Sequence, residues 1–528
     1  MPQSSLCLEI LGTSINITVD EDPSYLEKLL ADYRDKVESI RQSTGLKDPL
    51  KIAVLTGYSL CDELWKAGED RKKGEDSSGT EKEETLRRTL NLIARLDETI
   101  GKDPFPVDRG FYPLKNPVKH YQWGSPLWIP RMLGMPNPGG EPWAELWMGA
   151  HPASPSMLAA EGMEKSLDQF IAADPPRYLG EEWAESRTLP FLFKFLAASR
   201  PLSIQAHPGK EQARQGWLRE NEQGVPLDAP ERNYRDDNHK PEIICALSPF
   251  TALCGFRPPA DIRSLVSLFF ANAPPSLRNG FAPLWRSLAD TEEDSSALRS
   301  FFKNLFAIPP DIRTELTNFV LSASLPPNFD RELGALIRSF AEFYPGDPGI
   351  LSPLYLNLIH LENGQAIYLP PGILHAYVEG FGVELMANSD NVLRGGLSSK
   401  HIDQNELMKV LFFSPFVPEL LKAPESAAAS GFSGIFSYPS HCKEFCLSIA
   451  ESFKGPFPLR GPAVVAVTRG RLQVSGSGDA EWELKQGESA FIPPESRLTL
   501  GGDYTLYAAS LPLSTASPSY GSYSPGLP

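Results

Sequence analysis

Gln205 and His207 stand two residues apart in Pro201-Leu202-Ser203-Ile204-Gln205-Ala206-His207-Pro208. Alternate side chains of an extended strand share a face, so both would project together while Leu202 and Ile204 turn toward a core. An amide oxygen and an imidazole presented side by side are metal-ligand chemistry. Two further donors occur in similar settings. Glu242 lies where the loop Asn238-His239-Lys240-Pro241 becomes the apolar run Ile243-Ile244-Cys245-Ala246-Leu247, and His375 follows a strand and a Pro370-Pro371-Gly372 turn. Taken singly, each is more often a core histidine or a strand-end ion pair. Together, two imidazoles, a carboxylate and an amide oxygen suit Zn²⁺ or a similar borderline divalent ion, with room for water or substrate.

The segments that must position these donors are short and rich in turns. Lys115 to Gly124, Ala144 to Pro152 and the run from Leu356 onward read as strands ending in glycine or proline turns, which makes 110–257 and 346–425 one β-rich lobe. Between its halves, 258–345 changes to helical periodicity: Ile262, Leu265, Leu268, Phe269; Leu316, Phe319, Val320; Leu333, Leu336, Ile337, Phe340. The block 426–511 reads as a small antiparallel barrel whose turns carry no histidine, hence structural and metal-free, and 512–528 as a disordered Ser/Pro/Tyr/Gly tail.

The first 103 residues have a different texture. Leu6, Leu8 and Ile10, then Ile15, Ile17 and Val19, alternate as a β-hairpin. Ser24 and Glu27 open an amphipathic helix to about Ile40, and Asp48-Pro49 opens a second to about Trp65. Residues 67–84 form a charged linker, and Leu86, Leu90, Ile93, Leu96 and Ile100 follow at coiled-coil spacing.

A formal net charge of -16 argues against a nucleic-acid or anionic-membrane binder, while a local basic pocket for a small anion stays compatible with it. No apolar run reaches membrane-spanning length and no signal peptide is recognisable at Met1 to Ile10, so a cytoplasmic location is expected. Cys7, Cys61, Cys245, Cys254, Cys442 and Cys446 are scattered and form no Cys-x-x-Cys pair, so neither a disulfide framework nor a cysteine zinc site is indicated and reduced thiols are expected.

Glycine, proline and histidine turns between short strands are the pattern of double-stranded β-helix (cupin) barrels. From about Tyr112 to Ser510 the chain resembles type I mannose-6-phosphate isomerase, through Tyr121-Gln122-Trp123-Gly124, Ala144-Glu145-Leu146-Trp147-Met148-Gly149, Leu189-Pro190-Phe191-Leu192-Phe193-Lys194, Ser203 to His207, Asn238 to Glu242, and Asn388-Ser389-Asp390-Asn391-Val392-Leu393-Arg394-Gly395-Gly396. Residues 5–100 resemble the ZapA family of proteins that associate with the FtsZ division ring, through Leu8-Glu9-Ile10-Leu11-Gly12 and Asp48 to Leu55 running on to Cys61-Asp62-Glu63-Leu64. The fold expected is therefore mainly β with α insertions, two cupin lobes and a helical insert, preceded by a small α+β module.

The first resemblance implies zinc held by Gln205, His207, Glu242 and His375, with Arg394 as the catalytic arginine. Mannose 6-phosphate and fructose 6-phosphate interconvert by moving a proton between C2 and C1 through an enediolate, whose charge a metal ion and an arginine stabilise. Lys240, His239 and Glu384 are candidates for the proton shuttle. Ser203, Lys194, Tyr377 and Lys400 are candidates for substrate binding, the two lysines and Ser203 for phosphate in particular. Where the family often has alanine this chain has Gly395 or Gly396, a departure expected to cost little. The second resemblance implies self-association or FtsZ binding, and with it an isomerase held at the division site. The competing readings are a division accessory protein that binds sugar phosphate without turnover, and a cupin with other metal chemistry, which the identity of the metal would separate.

Overall fold

The computed structural model describes residues 4–10, 13–19, 28, 31–39, 56 and 60, and 110–512 except 160–164, 289–292, 323–324, 424–433, 458–460 and 477–479. Met1–Val107 and Asp108–Pro528 are separate compact units.

In the first unit Ser4–Ile10 and Thr13–Val19 pair antiparallel, with Leu6 opposite Ile17 and Leu8 opposite Ile15. This is the hairpin that the alternation predicts. Residues 31–39 are helical, with Tyr33 half-buried and Val37 buried one turn later, as an amphipathic stripe requires. Thr56 and Leu60 are helical. The rest of the second expected helix, the 67–84 linker and the 86–100 seam lie outside the described residues.

The second unit is built on two sheets. One contains eleven strands among the described residues, and its hub is the long strand His375–Ala387. Near its start this strand pairs with Phe250–Phe256 and Ile204–Ala206; further along it pairs with Phe191–Ala198 and Glu242–Ala246. Met386 lies opposite Glu242, eleven residues beyond His375. A straight strand would carry His375 about 36 Å from that point. Instead the Glu242 carboxylate and the His375 ring are 3.4 Å apart, so the strand curls back on itself. Gly380 makes the bend possible. Its φ is +136° and a Cβ there would lie 2.8 Å from the Phe250 Cα.

The other sheet runs in the order Ile435–Ser437, Cys446–Glu451, Thr499–Ser510, Ala463–Ser475, Ser489–Ile492, Tyr112–Lys115, Met157–Leu158. Its two end strands do not pair with each other, so it is open where the sequence suggests a barrel. It also draws on residues from outside 426–511. Tyr112–Lys115 and Met157–Leu158, which sequence places in the first lobe, are strands of this sheet, with Phe491 opposite Tyr112 and Leu158 opposite Leu114.

The helices Pro259–Phe269, Pro275–Ser287, Asp294–Phe306, Pro310–Ser322 and Arg331–Phe343 occupy the inserted region. Arg331–Phe343 starts where Asp330 accepts hydrogen bonds from the Glu332 and Leu333 amides at 2.8 and 3.0 Å, and it buries Leu333, Ile337 and Phe340. The apolar faces of these helices form one core with Ile204, Ala206, Leu374, Ala376 and Leu393. Those five residues alternate along their strands with Gln205, His375 and Arg394. Packing against the helices therefore fixes which way the chemical side chains point.

Candidate metal centre and active site

Ile204–Ala206 lies between two strands, so that Gln205 has His375 as cross-strand neighbour on one side and Arg394 on the other. His207 follows at the strand end. Its Nδ1 lies 2.7 Å from the Asn391 carbonyl, and the Nδ1 of His375 lies 2.9 Å from the Ile373 carbonyl. A ring nitrogen facing a carbonyl must carry the proton, so both imidazoles are held in the tautomer whose Nε2 presents a lone pair. Both lone pairs meet the Glu242 carboxylate: His207 Nε2 to Oε1 is 3.2 Å and His375 Nε2 to Oε2 is 3.4 Å.

Acceptors facing acceptors need a cation between them. His207 Nε2 and Glu242 Oε2 are both buried without a hydrogen bond. One donor atom from each of His207, Glu242 and His375 falls within 4.8 Å of the others. The Gln205 amide completes the group, its Nε2 lying 3.4 Å from His375 Nε2; a half-turn of the amide exchanges that nitrogen for Oε1. Buried nitrogen and oxygen donors in this number fit zinc.

Electrostatics prepares the same atoms. Burial, reinforced by the Lys240 ammonium, pushes the His207 pKa down to about 4. Burial would raise Glu242, but Lys240 and the imidazoles outweigh it and hold the carboxyl well below its usual range. Between the ordinary histidine value near 6.5 and about 4, an unfolded chain binds a proton that folded His207 refuses. Glu242, with its lowered pKa, likewise contributes stability that is lost as pH falls. The metal-free chain should therefore lose a few kcal/mol of stability between pH 6.5 and 4. Urea midpoints across that range, compared with those of His207→Gln, measure it; parallel profiles for the two proteins would reject this account.

Around the centre the other candidates divide into groups. Lys240 Nζ lies 3.0 Å from Glu242 Oε1, at the edge of the ligand cluster. Its neighbour His239 has its Nε2 2.9 Å from Glu444 Oε1, a partner with no sequence signal. Lys194 and Glu384 are paired at 2.7 Å, with Glu145 3.6 Å from the same ammonium and Trp147 donating to Glu145 at 2.7 Å. Burial opposes the Lys194 charge, yet the two carboxylates raise its pKa, while burial raises that of Glu384. Tyr377 shares this neighbourhood, with its hydroxyl buried and no hydrogen bond to it; burial first, then Glu384, holds its pKa well above the usual range. Ser203 is half-buried just before the Gln205 strand.

Arg394 and Lys400 belong with a third cation that sequence reading misses. Burial lowers the pKa of both, and so does Arg235; Arg394 adds to the effect on Lys400. The Arg235 amide donates to Asn391 Oδ1 at 2.7 Å, and Asn391 also accepts from His207, so one asparagine links the arginine loop to the metal ligand. Asp236 and Asn238 accept from the Asn391 amide at 2.8 and 2.9 Å through their carbonyls, which fixes the loop. Arg394 itself is aimed by a bulge, since the register with Ile204–Ala206 slips between Arg394 and Gly396. Gly396 has φ +135° and a Cβ on it would lie 2.9 Å from the Gly349 Cα. Alanine there would be strained both by the backbone conformation and by the lack of space.

Residues 111–259 match the family described as phosphomannose isomerase type I, catalytic domain, and residues 7–99 match cell division protein ZapA. The mannose-6-phosphate isomerase of Escherichia coli (strain K12) is 37% identical over 398 residues, covering 74% of this chain and 96% of that protein. The chain belongs to the mannose-6-phosphate isomerase family. The family member from Bos taurus is 36% identical over 419 residues, covering 74% of this chain and 95% of its own length. Among solved structures, the mannose 6-phosphate isomerase from Salmonella typhimurium bound to substrate and a zinc atom superposes with a TM-score of 0.67 at 34% identity, covering 76% of this chain and all (100%) of that one. A zinc-bound mannose 6-phosphate isomerase gives 0.66 at 34% identity over 76% and 100%. The β-rich lobes and helical insert are thus those of mannose-6-phosphate isomerases. No helix of the described residues is long and apolar enough to cross a membrane.

Proposed function

We propose that this chain is a zinc-dependent isomerase interconverting mannose 6-phosphate and fructose 6-phosphate, with the metal held by Gln205, His207, Glu242 and His375. The observation that carries the reading is the pair of imidazole lone pairs directed at one buried carboxylate. When bound there, zinc supplies Lewis-acid stabilisation of the charge that develops on the sugar O1 and O2. The remaining work falls to side chains. Arg394 keeps a permanent positive charge beside Gln205 and stabilises the same oxygens. Lys240 transfers the proton between C2 and C1, and Glu384, raised by burial, is the second group able to hold a proton nearby.

Lys194 is already engaged by Glu384 and Glu145, which leaves the phosphate to a different group. Arg235, Arg394 and Lys400 form no ion pair among the described residues, and their mutual repulsion is relieved by a dianion. We assign Ser203 and Tyr377 to the sugar rather than to the phosphate. Purified chain supplied with fructose 6-phosphate should form mannose 6-phosphate; a folded, zinc-loaded protein without turnover would favour a sugar-phosphate sensor.

The match of residues 7–99 to ZapA supports a second part of the proposal: the N-terminal unit self-associates or binds a division filament such as FtsZ and holds the isomerase at the division site. Fluorescently tagged full-length chain that stays diffuse in dividing cells would count against it.

A further inference from the structure

Glu444 lies between the strands Ile435–Ser437 and Cys446–Glu451 of the C-terminal sheet, far in sequence from any metal ligand. Its side chain is 8% exposed and contacts the His239 ring at 2.9 Å. The chain through His239, Lys240 and Glu242 leads directly into the Glu242–Ala246 strand. His239 meets the C-terminal sheet while the next residue, Lys240, meets Glu242 at 3.0 Å. The far end of the same strand is held from the same sheet. Cys245 Sγ lies 3.4 Å from the Tyr438 hydroxyl and 3.7 Å from that of Tyr507. Tyr438 also donates at 2.9 Å to the carbonyl of Gly364, whose amide in turn donates to Ala246 at 2.8 Å. The strand that presents a metal ligand is thus gripped at both ends by one sheet that contributes no ligand of its own.

We propose that this sheet sets the position of the metal centre, with Glu444 as a positioning residue that acts through His239 on the Lys240–Glu242 segment. The proposal rests on the isomerase reading above. Packing alone would be served by an apolar side chain, whereas a buried carboxylate is costly unless it is paired. Burial disfavours the Glu444 charge, and His239, with smaller help from a backbone amide and Lys443, more than offsets it. Glu444 Oε2 and His239 Nε2 both lack a hydrogen bond, so the 2.9 Å approach of that nitrogen to Glu444 Oε1 is what joins the two side chains. Outer partners of metal ligands typically contribute ten- to a hundredfold to affinity or activity. Glu444 is one step further out, so an effect of about tenfold is expected.

The test uses full-length zinc-loaded protein. Glu444→Ala should weaken zinc about tenfold in competition with a chromogenic chelator and lower kcat about tenfold, with KM for fructose 6-phosphate unchanged within about twofold. In a His239→Gln background the same substitution should change neither quantity further, because the path through His239 is already cut. Glu444→Gln, which keeps the shape and one acceptor oxygen, guards against misfolding and should fall between wild type and alanine. Unchanged zinc affinity and kcat in both Glu444 variants would overturn the proposal, as would an equal loss in both backgrounds. If wild type binds zinc but does not turn over fructose 6-phosphate, the isomerase reading fails while the chelator competition still decides the role of Glu444. A wild type that takes up no zinc would overturn both.

Discussion

Replacing His375 with alanine should lower conversion of fructose 6-phosphate by at least about a thousandfold, equivalent to several kcal/mol of lost transition-state stabilisation. His375 is fully buried, its ring is fixed by the Ile373 carbonyl, and its Nε2 closes the triangle with His207 and Glu242. Without it the centre keeps one imidazole, and the remaining carboxylate pairs with Lys240 instead. Zinc content measured by mass spectrometry should drop together with activity, and circular dichroism should stay that of wild type. Chelating wild-type protein should reproduce the loss and adding zinc should reverse it. A variant that lost its zinc but kept its turnover would remove the metal centre from the mechanism.

Arg394→Lys should lower kcat about a hundredfold with little change in thermal midpoint, since the charge is kept but the planar guanidinium fork is lost. Arg394 is half-buried, forms no ion pair among the described residues, and faces Gln205 across the sheet. Arg235→Gln provides the contrast. A group that binds only phosphate should raise KM about tenfold and leave kcat nearly intact, because its interaction is made equally in ground and transition states. If Arg235→Gln lowered kcat and Arg394→Lys raised only KM, the two roles would have to be exchanged.

Much of this site is legible in the sequence because strand alternation is a local rule. Gln205 and His207 two residues apart, Glu242 at the start of an apolar run and His375 after a proline-glycine turn each declare a strand and a face. The helical insert is legible for the same reason, through Ile262, Leu316 and Ile337 at helical spacing. What stays hidden is pairing across long stretches of chain. Nothing near Glu444 indicates His239, and nothing in Arg235-Asp236-Asp237 separates an arginine close enough to Arg394 and Lys400 to lower their pKa from a solvated one. Lys194 carries a family motif, yet its meeting with Glu384 depends on the register of Phe191–Ala198 against the long curled strand. The open C-terminal sheet is hidden too, because two of its strands come from residues 112–115 and 157–158.

That borrowed strand has a consequence during synthesis. Every proposed zinc ligand has been made once the ribosome passes residue 375, and Arg394 soon follows. Tyr112–Lys115, however, pairs with Ser489–Ile492, a segment made well after His375. A nascent polypeptide that holds every proposed zinc ligand still displays an unmatched β edge at Tyr112–Lys115. Closure of this edge therefore trails synthesis of the zinc ligands, a later segment protecting an earlier one.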